Sequence, residues 1–365
     1  MARFATLPTV KGAKMYYNYS NPFQYDPFSE EQIRSSKRTF SRFHLALFIF
    51  TVVATAVAFL VEFSRILLWN EFYENSSELF KWSYEWAIGI LPMYVVGLPI
   101  LYLITKGMPK TKLKKSKLRF VEFLALFAIS KALATVGSMI GSAFTGAFGA
   151  MRGEEVSNPT AELISESPIW FTIVIAVIIG PIVEEFIFRK IMIDKLAKFG
   201  TVPVIIVSGV SFGLFHGNFN QLFYATLLGM LLAYITFKTG NWLYSVLMHV
   251  TINFFSSVAV LPFIEIQNHL VGMDAAALEG GAPERAKLLL MSFAVEFYSI
   301  VEYALMLTGA ILLVFAIKRK QYKLENNLIK LAVPREKAFS SIFANPGTIM
   351  YFSLSMLLLT ASLLL

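Results

Sequence analysis

The sequence predicts an all-α, polytopic membrane protein with about nine transmembrane helices. Three observations carry that prediction: a composition too apolar for a soluble domain, nine apolar stretches long enough to cross a bilayer, and basic loops alternating with acidic ones. Of 365 residues, 56% are hydrophobic and only 15% charged, against roughly 45–50% and about 25% in soluble domains. The mean hydropathy is +0.62. A soluble chain of this length has too little interior to hide such a surface, and disorder over most of it is excluded because disorder requires low hydrophobicity. Cysteine is absent. That rules out disulfides, thiolate zinc sites, iron–sulfur clusters and a cysteine nucleophile, and leaves the redox compartment unreadable.

A membrane helix needs about 20 mostly apolar residues, since the hydrocarbon core is about 30 Å thick and a helix rises about 1.5 Å per residue. The stretches lie at about 44–69, 87–105, 120–148, 169–190, 202–217, 221–238, 241–263, 289–317 and 348–365. The fifth and sixth are short and closely joined. Residues 1–43 are polar, aromatic and basic, which predicts a cytosolic N-terminal tail without a cleavable signal peptide, mobile over Tyr16–Asp26. The chain divides into that tail, three accessory helices over 44–148, a core over 169–263 and two C-terminal helices over 289–365. The 264–288 segment is unreadable.

Lys and Arg in short loops mark the cytoplasmic side. Arg34, Lys37, Arg38 and Arg42 precede the first span. Lys106, Lys110, Lys112, Lys114, Lys115, Lys117 and Arg119 follow the second, Lys195 and Lys198 the fourth, Lys238 the sixth, and Lys318, Arg319, Lys320 and Lys323 the eighth. The loops after spans one and three carry Glu71, Glu74, Glu78, Glu154, Glu155, Glu162 and Glu166. Nine spans with a cytoplasmic N-terminus fit this alternation. Juxtamembrane charge accounts for the net charge of +8, so membrane lipids are expected partners and nucleic acid is not. In the third span Gly137, Gly141 and Gly146, with Ala134, Ser138 and Ser142, form a small-residue face suited to close helix packing within the monomer. No internal repeat is present, which disfavours a transporter built on inverted repeats.

Charged side chains at membrane depth are costly, and each is a functional candidate. The stretch Gly180-Pro-Ile-Val-Glu-Glu-Phe-Ile-Phe-Arg189 places two carboxylates and an arginine in the fourth span. Glu185 and Arg189, four apart, share a helical face and can pair. Glu184 points about 100° away, so it is left without that partner and suits a general base. The structural alternative ties both glutamates to Arg189 and Lys190. Pro181 lacks an N–H and loosens the helix just upstream. Of four histidines, His216 ends the fifth span and His249 lies in the seventh, on one face with Asn253. His44 and His269 receive no role. Measured along ideal helices, Glu184 lies about 22 Å from the outside, and His249 and Asn253 about 10 and 16 Å from the inside, which agrees. His216, at about 21 Å from the inside, falls too far out. A fourth span extended to about Phe199 and a late start to span five would repair this. Lys131, Glu296 and Glu302 are read as ion pairs or interior-facing groups; in a transporter they would line a pathway.

Glu184-Glu185-x-x-x-Arg189, Phe212-x-x-x-His216 and His249-x-x-x-Asn253, in that order on spans four, five and seven, resemble the CAAX protease and bacteriocin-processing family of intramembrane proteases. The resemblance covers about 170–256. It implies a helical membrane fold enclosing a hydrophilic cavity that opens toward the cytoplasm, with 169–263 as the catalytic core and a bacterial cell membrane as the expected setting. No HExxH, Gly-x-Ser-Gly or Gly-x-Gly-Asp signature of other membrane proteases is present.

The resemblance suggests a glutamic-protease scheme without a metal cofactor. Glu184 activates water, His216 helps to hold or deprotonate it, and His249 and Asn253 donate hydrogen bonds to the oxyanion, while Glu185 and Arg189 orient the helix and the substrate. The same atoms also write a zinc scheme, with Glu184, His216 and His249 as ligands and an open fourth position. Asn253, an uncommon zinc ligand, favours the first. The expected substrate is a membrane-associated peptide: a lipidated, CAAX-like protein or a leader peptide. The competing class is a catalytically silent scaffold or immunity protein that binds a peptide in the same cavity.

Overall fold

The structure is a computed structural model that describes residues 30–271, 282–321, 324 and 333–364. It is all-α, with no strand among the described residues. Seven helices are long and apolar enough to cross a membrane: α1 (Ile33–Glu74), α2 (Glu78–Thr105), α3 (Phe120–Arg152), α5 (Ile169–Phe199), α7 (Phe219–Thr239), α8 (Leu243–Leu270) and α9 (Ala286–Lys318). The short helix α4 (Pro159–Glu166) lies between α3 and α5, and α6 (Thr201–Phe215) between α5 and α7. The chain closes with α10 (Arg335–Phe343) and α11 (Pro346–Ala361), bent by 58° at their junction and countable as an eighth span.

All nine expected spans are therefore helices, but two fall short of membrane-crossing length. Helix α6 has 15 residues and reaches about 22 Å, against a core of about 30 Å. Helix α11 has 16 residues. The short α6 ends where it does because of His216-Gly217-Asn218. Gly217 adopts φ +68°, a left-handed conformation that glycine enters without a Cβ penalty. Asn218 then caps α7, its side chain accepting from the Gln221 amide at 2.9 Å. Helices α6 and α7 form a hairpin so close that a Cβ on Gly213 would collide with the Thr226 side chain, and one on Gly229 would stand 3.0 Å from the Gly209 Cα.

The expected N-terminal tail differs from the structure in its last part. The helix begins at Glu30, not near residue 44. Phe40 and Phe43 are fully buried while Arg34 and Arg38 keep to partly or fully exposed positions. Composition alone hid this amphipathic N-terminal stretch of about four turns, because its basic residues outweigh the two phenylalanines. The expected mobile stretch Tyr16–Asp26 and the basic residue Lys323 lie outside the described residues, as does the middle of the 264–288 segment. The beginning of that segment is the end of α8, and its close is the start of α9.

Helix α3 packs against α7 through the predicted small-residue face. A Cβ at Gly137 would overlap the Tyr224 backbone, and one at Gly141 would lie 3.0 Å from the Phe219 carbonyl; Gly146 faces nothing within 4 Å. Helix α9 docks on α3 through Gly309, where a Cβ would strike the Ala128 carbonyl. Beside it runs the ion pair Lys131 Nζ–Glu302 Oε2 at 2.7 Å. This supports the ion-pair reading of these two residues; Glu296 is exposed. The basic loop after α2 runs as a strap over the ends of α5 and α7. Its Thr111 amide donates to Asp194 O at 2.6 Å and its Ser116 amide to Thr239 O at 2.8 Å, and Lys195 Nζ reaches back to Met108 O at 2.7 Å.

His44 is a buried hub. Its Nδ1 lies 3.1 Å from both Phe40 O and Thr348 Oγ1, and its Nε2 3.5 Å from Ser211 Oγ. It joins α1, α6 and α11.

Candidate active site

Helix α5 carries the two carboxylates and is not a regular helix around them. Thr172–Ile179 and Phe186–Ile191 are π-helical, and the α-helical turn Gly180–Glu185 lies between them. A π segment shifts each hydrogen bond from the fourth residue to the fifth and re-aims side chains; such insertions gather at functional sites. The local cause includes Pro181. In the π register Ala176 O would accept from residue 181, and proline has no N–H to give. Asn253 takes that place: its Nδ2 donates to Ala176 O at 2.8 Å. The sequence predicted a loosened helix at Pro181, but not that Asn253 repairs it.

Glu185 and Arg189 form a fully buried pair, with Arg189 Nε 3.0 Å from Glu185 Oε2. Arg189 Nη2 also donates to Gly229 O at 3.3 Å, and the guanidinium stands 4.5 Å from the centre of the Phe212 ring. One side chain thus ties α5 to α6 and α7. The Nε–Oε2 contact is a charge contact rather than a well-aligned hydrogen bond, and Arg189 Nη1 has no hydrogen-bond partner. The predicted i, i+4 pairing is present, and Lys190 turns instead to Asp194 at 2.9 Å.

His249 stands between the two glutamates. Its Nδ1 lies 3.1 Å from Glu185 Oε1, and its Nε2 3.8 Å from Glu184 Oε2. An ionised carboxylate only accepts, so the proton in the first contact belongs to Nδ1. The second distance exceeds a direct hydrogen bond, which leaves Nε2 and Glu184 able to contact one shared oxygen atom. On the same helix Ser245 donates to Trp242 O at 2.6 Å and accepts from Thr236 Oγ1 at 3.2 Å. Ser245 lies one turn before His249, and sequence reasoning passed it over.

His216 donates through Nδ1 to Phe212 O at 2.9 Å, which leaves Nε2 as an acceptor. The Phe212 ring meets both imidazoles edge-on, at 4.8 Å from His216 and 5.6 Å from His249. Glu184, Arg189 and His249 lie within electrostatic reach of His216. The structure therefore brings together Glu184, Glu185, Arg189, His216 and His249, with Asn253 one turn beyond. The depth misfit of His216 is half resolved as expected: α5 runs on to Phe199, but α6 starts at Thr201 and not late.

Glu184 has two further electrostatic neighbours that sequence reasoning missed, Tyr94 on α2 and Tyr224 on α7. Neither stands in a motif, and no periodicity marks them. Among the described residues no three of His, Asp and Glu converge so as to hold one metal ion.

The family profile of the type II CAAX prenyl endopeptidase Rce1-like proteins matches residues 166–255. The Bacillus subtilis (strain 168) protein named "Putative membrane peptidase YdiL" is 27% identical over 180 residues, which covers 48% of this chain and 72% of that one. No solved structure matches.

Proposed function

The chain belongs, through residues 166–255, to the CAAX protease and bacteriocin-processing family of membrane proteases, and from that premise we propose that it hydrolyses a peptide bond within the membrane with Glu184 as the water-activating base. One observation supports this most: His249, held by Glu185, stands 3.8 Å from Glu184, so a carboxylate and an imidazole address one oxygen atom.

Glu184 takes a proton from water as the oxygen attacks the scissile carbonyl carbon. His216 Nε2, an acceptor, holds the second water proton. The carbonyl oxygen gains negative charge and accepts from the remaining N–H of Asn253 and, when its ring is doubly protonated, from the Nε2–H of His249. When the C–N bond breaks, the proton on Glu184 passes to the leaving amine, and carboxylate and amine products result. Glu185 and Arg189 touch no reacting atom. They fix the His249 ring and anchor α5. The substrate proposed is a membrane-associated peptide, either the C-terminus of a lipidated CAAX-like protein or a leader peptide.

The test is cleavage of a quenched library of CAAX-like and leader peptides by the protein in nanodiscs, beside Glu184→Gln and His249→Ala, with and without chelator. Cleavage by the wild type that both substitutions abolish supports the proposal. Wild-type binding without cleavage of any peptide overturns it in favour of a silent peptide-binding scaffold.

A further inference from the structure

We infer that Tyr94, on the second helix, is a catalytic residue of the Glu184 site, its phenol O–H donating a hydrogen bond to the oxyanion formed on the scissile carbonyl. This inference rests on the protease reading above.

Four observations carry it. First, α2 is π-helical over Pro92–Gly97, and Tyr94 lies in that segment, half-buried. As at α5, an irregular turn sits where two spans meet. Second, Gly180 precedes Glu184 by one helical turn, and its missing side chain leaves a small volume. A Cβ there would stand 3.6 Å from the Tyr94 hydroxyl and 3.9 Å from Glu184 Oε1, so the phenol and the carboxylate flank the same space. Third, Tyr94 Oη makes no hydrogen bond to a described residue, while Glu184 is its charged neighbour, so its O–H is free to donate to a ligand in that space. Fourth, the other donors are partly committed: Asn253 Nδ2 to Ala176 O and His249 Nδ1 to Glu185.

A phenol donating to the attacking water would weaken it as a nucleophile. The same O–H aimed at the carbonyl oxygen meets charge that develops only in the transition state, which is where a fixed donor accelerates the reaction.

The experiment uses the full chain in nanodiscs with the best substrate from the library. Tyr94→Phe is expected to lower kcat by about 10²–10³-fold with little change in KM, and to leave thermal stability unchanged because no protein hydrogen bond is lost. Tyr102→Phe, on the lipid-exposed side of the same helix, is expected to match the wild type. Replacing Tyr94 with 3,5-difluorotyrosine, whose phenol ionises at lower pH, should restore most of kcat and move the alkaline limb of the pH–rate profile to lower pH. Glu184→Gln in the same series separates the two claims. If the wild type cleaves, Glu184→Gln does not, and Tyr94→Phe keeps the wild-type kcat, the inference on Tyr94 is overturned and the protease reading stands. If Glu184→Gln cleaves as well as the wild type, both fall.

Discussion

Replacing Arg189 with methionine keeps much of the side chain's length and removes its charge, which makes it a sharp test of how the site is held together. In the structure Arg189 and Glu185 expose none of their side-chain surface, and 3.0 Å separates their charges. Removing the cation leaves Glu185 as a buried carboxylate with one hydrogen-bond donor among the described residues, His249. Breaking a buried pair from one side typically costs about 3–5 kcal/mol. The lost bond to Gly229 O and the lost stacking on Phe212 add to the same side, the stacking by up to about 2 kcal/mol when desolvated.

The double substitution Glu185→Leu with Arg189→Met removes both charges and should recover most of that loss, since apolar replacements of buried pairs are often neutral. It should not recover activity, because His249 then has no carboxylate to fix its ring. Unfolding in mixed micelles, followed by tryptophan fluorescence, measures stability for the wild type, the single variant and the double variant, and peptide cleavage runs on the same samples. The reasoning is refuted if Arg189→Met stays within about 1 kcal/mol of the wild type, a difference typical of exposed pairs. It is also refuted if the double variant is as unstable as the single one.

Glu184→Gln should abolish cleavage and leave the unfolding midpoint unchanged, because Glu184 makes no direct hydrogen bond to a described residue; a stability loss as large as that of Arg189→Met would show it to be structural. Asn253→Leu should destabilise by about 1 kcal/mol, the net worth of one hydrogen bond, here the half-buried one to Ala176 O. Adding Pro181→Ala restores an N–H at the fifth residue and should recover part of that stability but no activity, and absence of recovery in the unfolding curve would remove the Asn253–Pro181 link. Chelator should leave cleavage unchanged; zinc bound stoichiometrically and lost together with activity would reverse the metal-free scheme. Gly213→Val should prevent the α6–α7 hairpin from closing on Thr226 and yield protein sensitive to proteolysis near Gly217, whereas Gly146→Val, facing open space, should be tolerated.

How much of this was legible depended on whether a local pattern encoded it. Spans announced themselves through runs of apolar residues, and Glu185–Arg189 and His249–Asn253 through a spacing of four, which any regular helix turns into adjacency. Stretches of similar hydropathy do not show whether a helix crosses the bilayer. Helix α6 stops at Phe215 because of a left-handed glycine and an asparagine cap, two residues whose effect on helix length a hydropathy average cannot register. Residues 30–43 were assigned to the tail for the opposite reason: charge dominated the composition while Phe40 and Phe43 faced the core. His44, which fastens α1 to α11, had no sequence signal at all, since its partners Thr348 and Ser211 lie 304 and 167 positions away.

The site itself was legible by identity and not by geometry, and the reason lies in α5. On an ideal helix Glu184 and Glu185 diverge by about 100°, so reasoning from periodicity gives them separate surroundings. The structure keeps that divergence and lets one imidazole from α8 span it, with Nδ1 on Glu185 and Nε2 toward Glu184. Two π segments on either side of Gly180–Glu185 set where along α5 that turn faces α8, and each leaves backbone groups that the regular pattern would have satisfied. Asn253 takes up one of them at Ala176, and Ser208 Oγ donates to Phe188 O at 3.3 Å in the other. The polar residues of the three motifs thus divide by task. Asn253, and beside the motifs Ser208, donate to carbonyls of the irregular helix, Arg189 pairs with Glu185, and Glu184 is left with no direct hydrogen bond to a described residue.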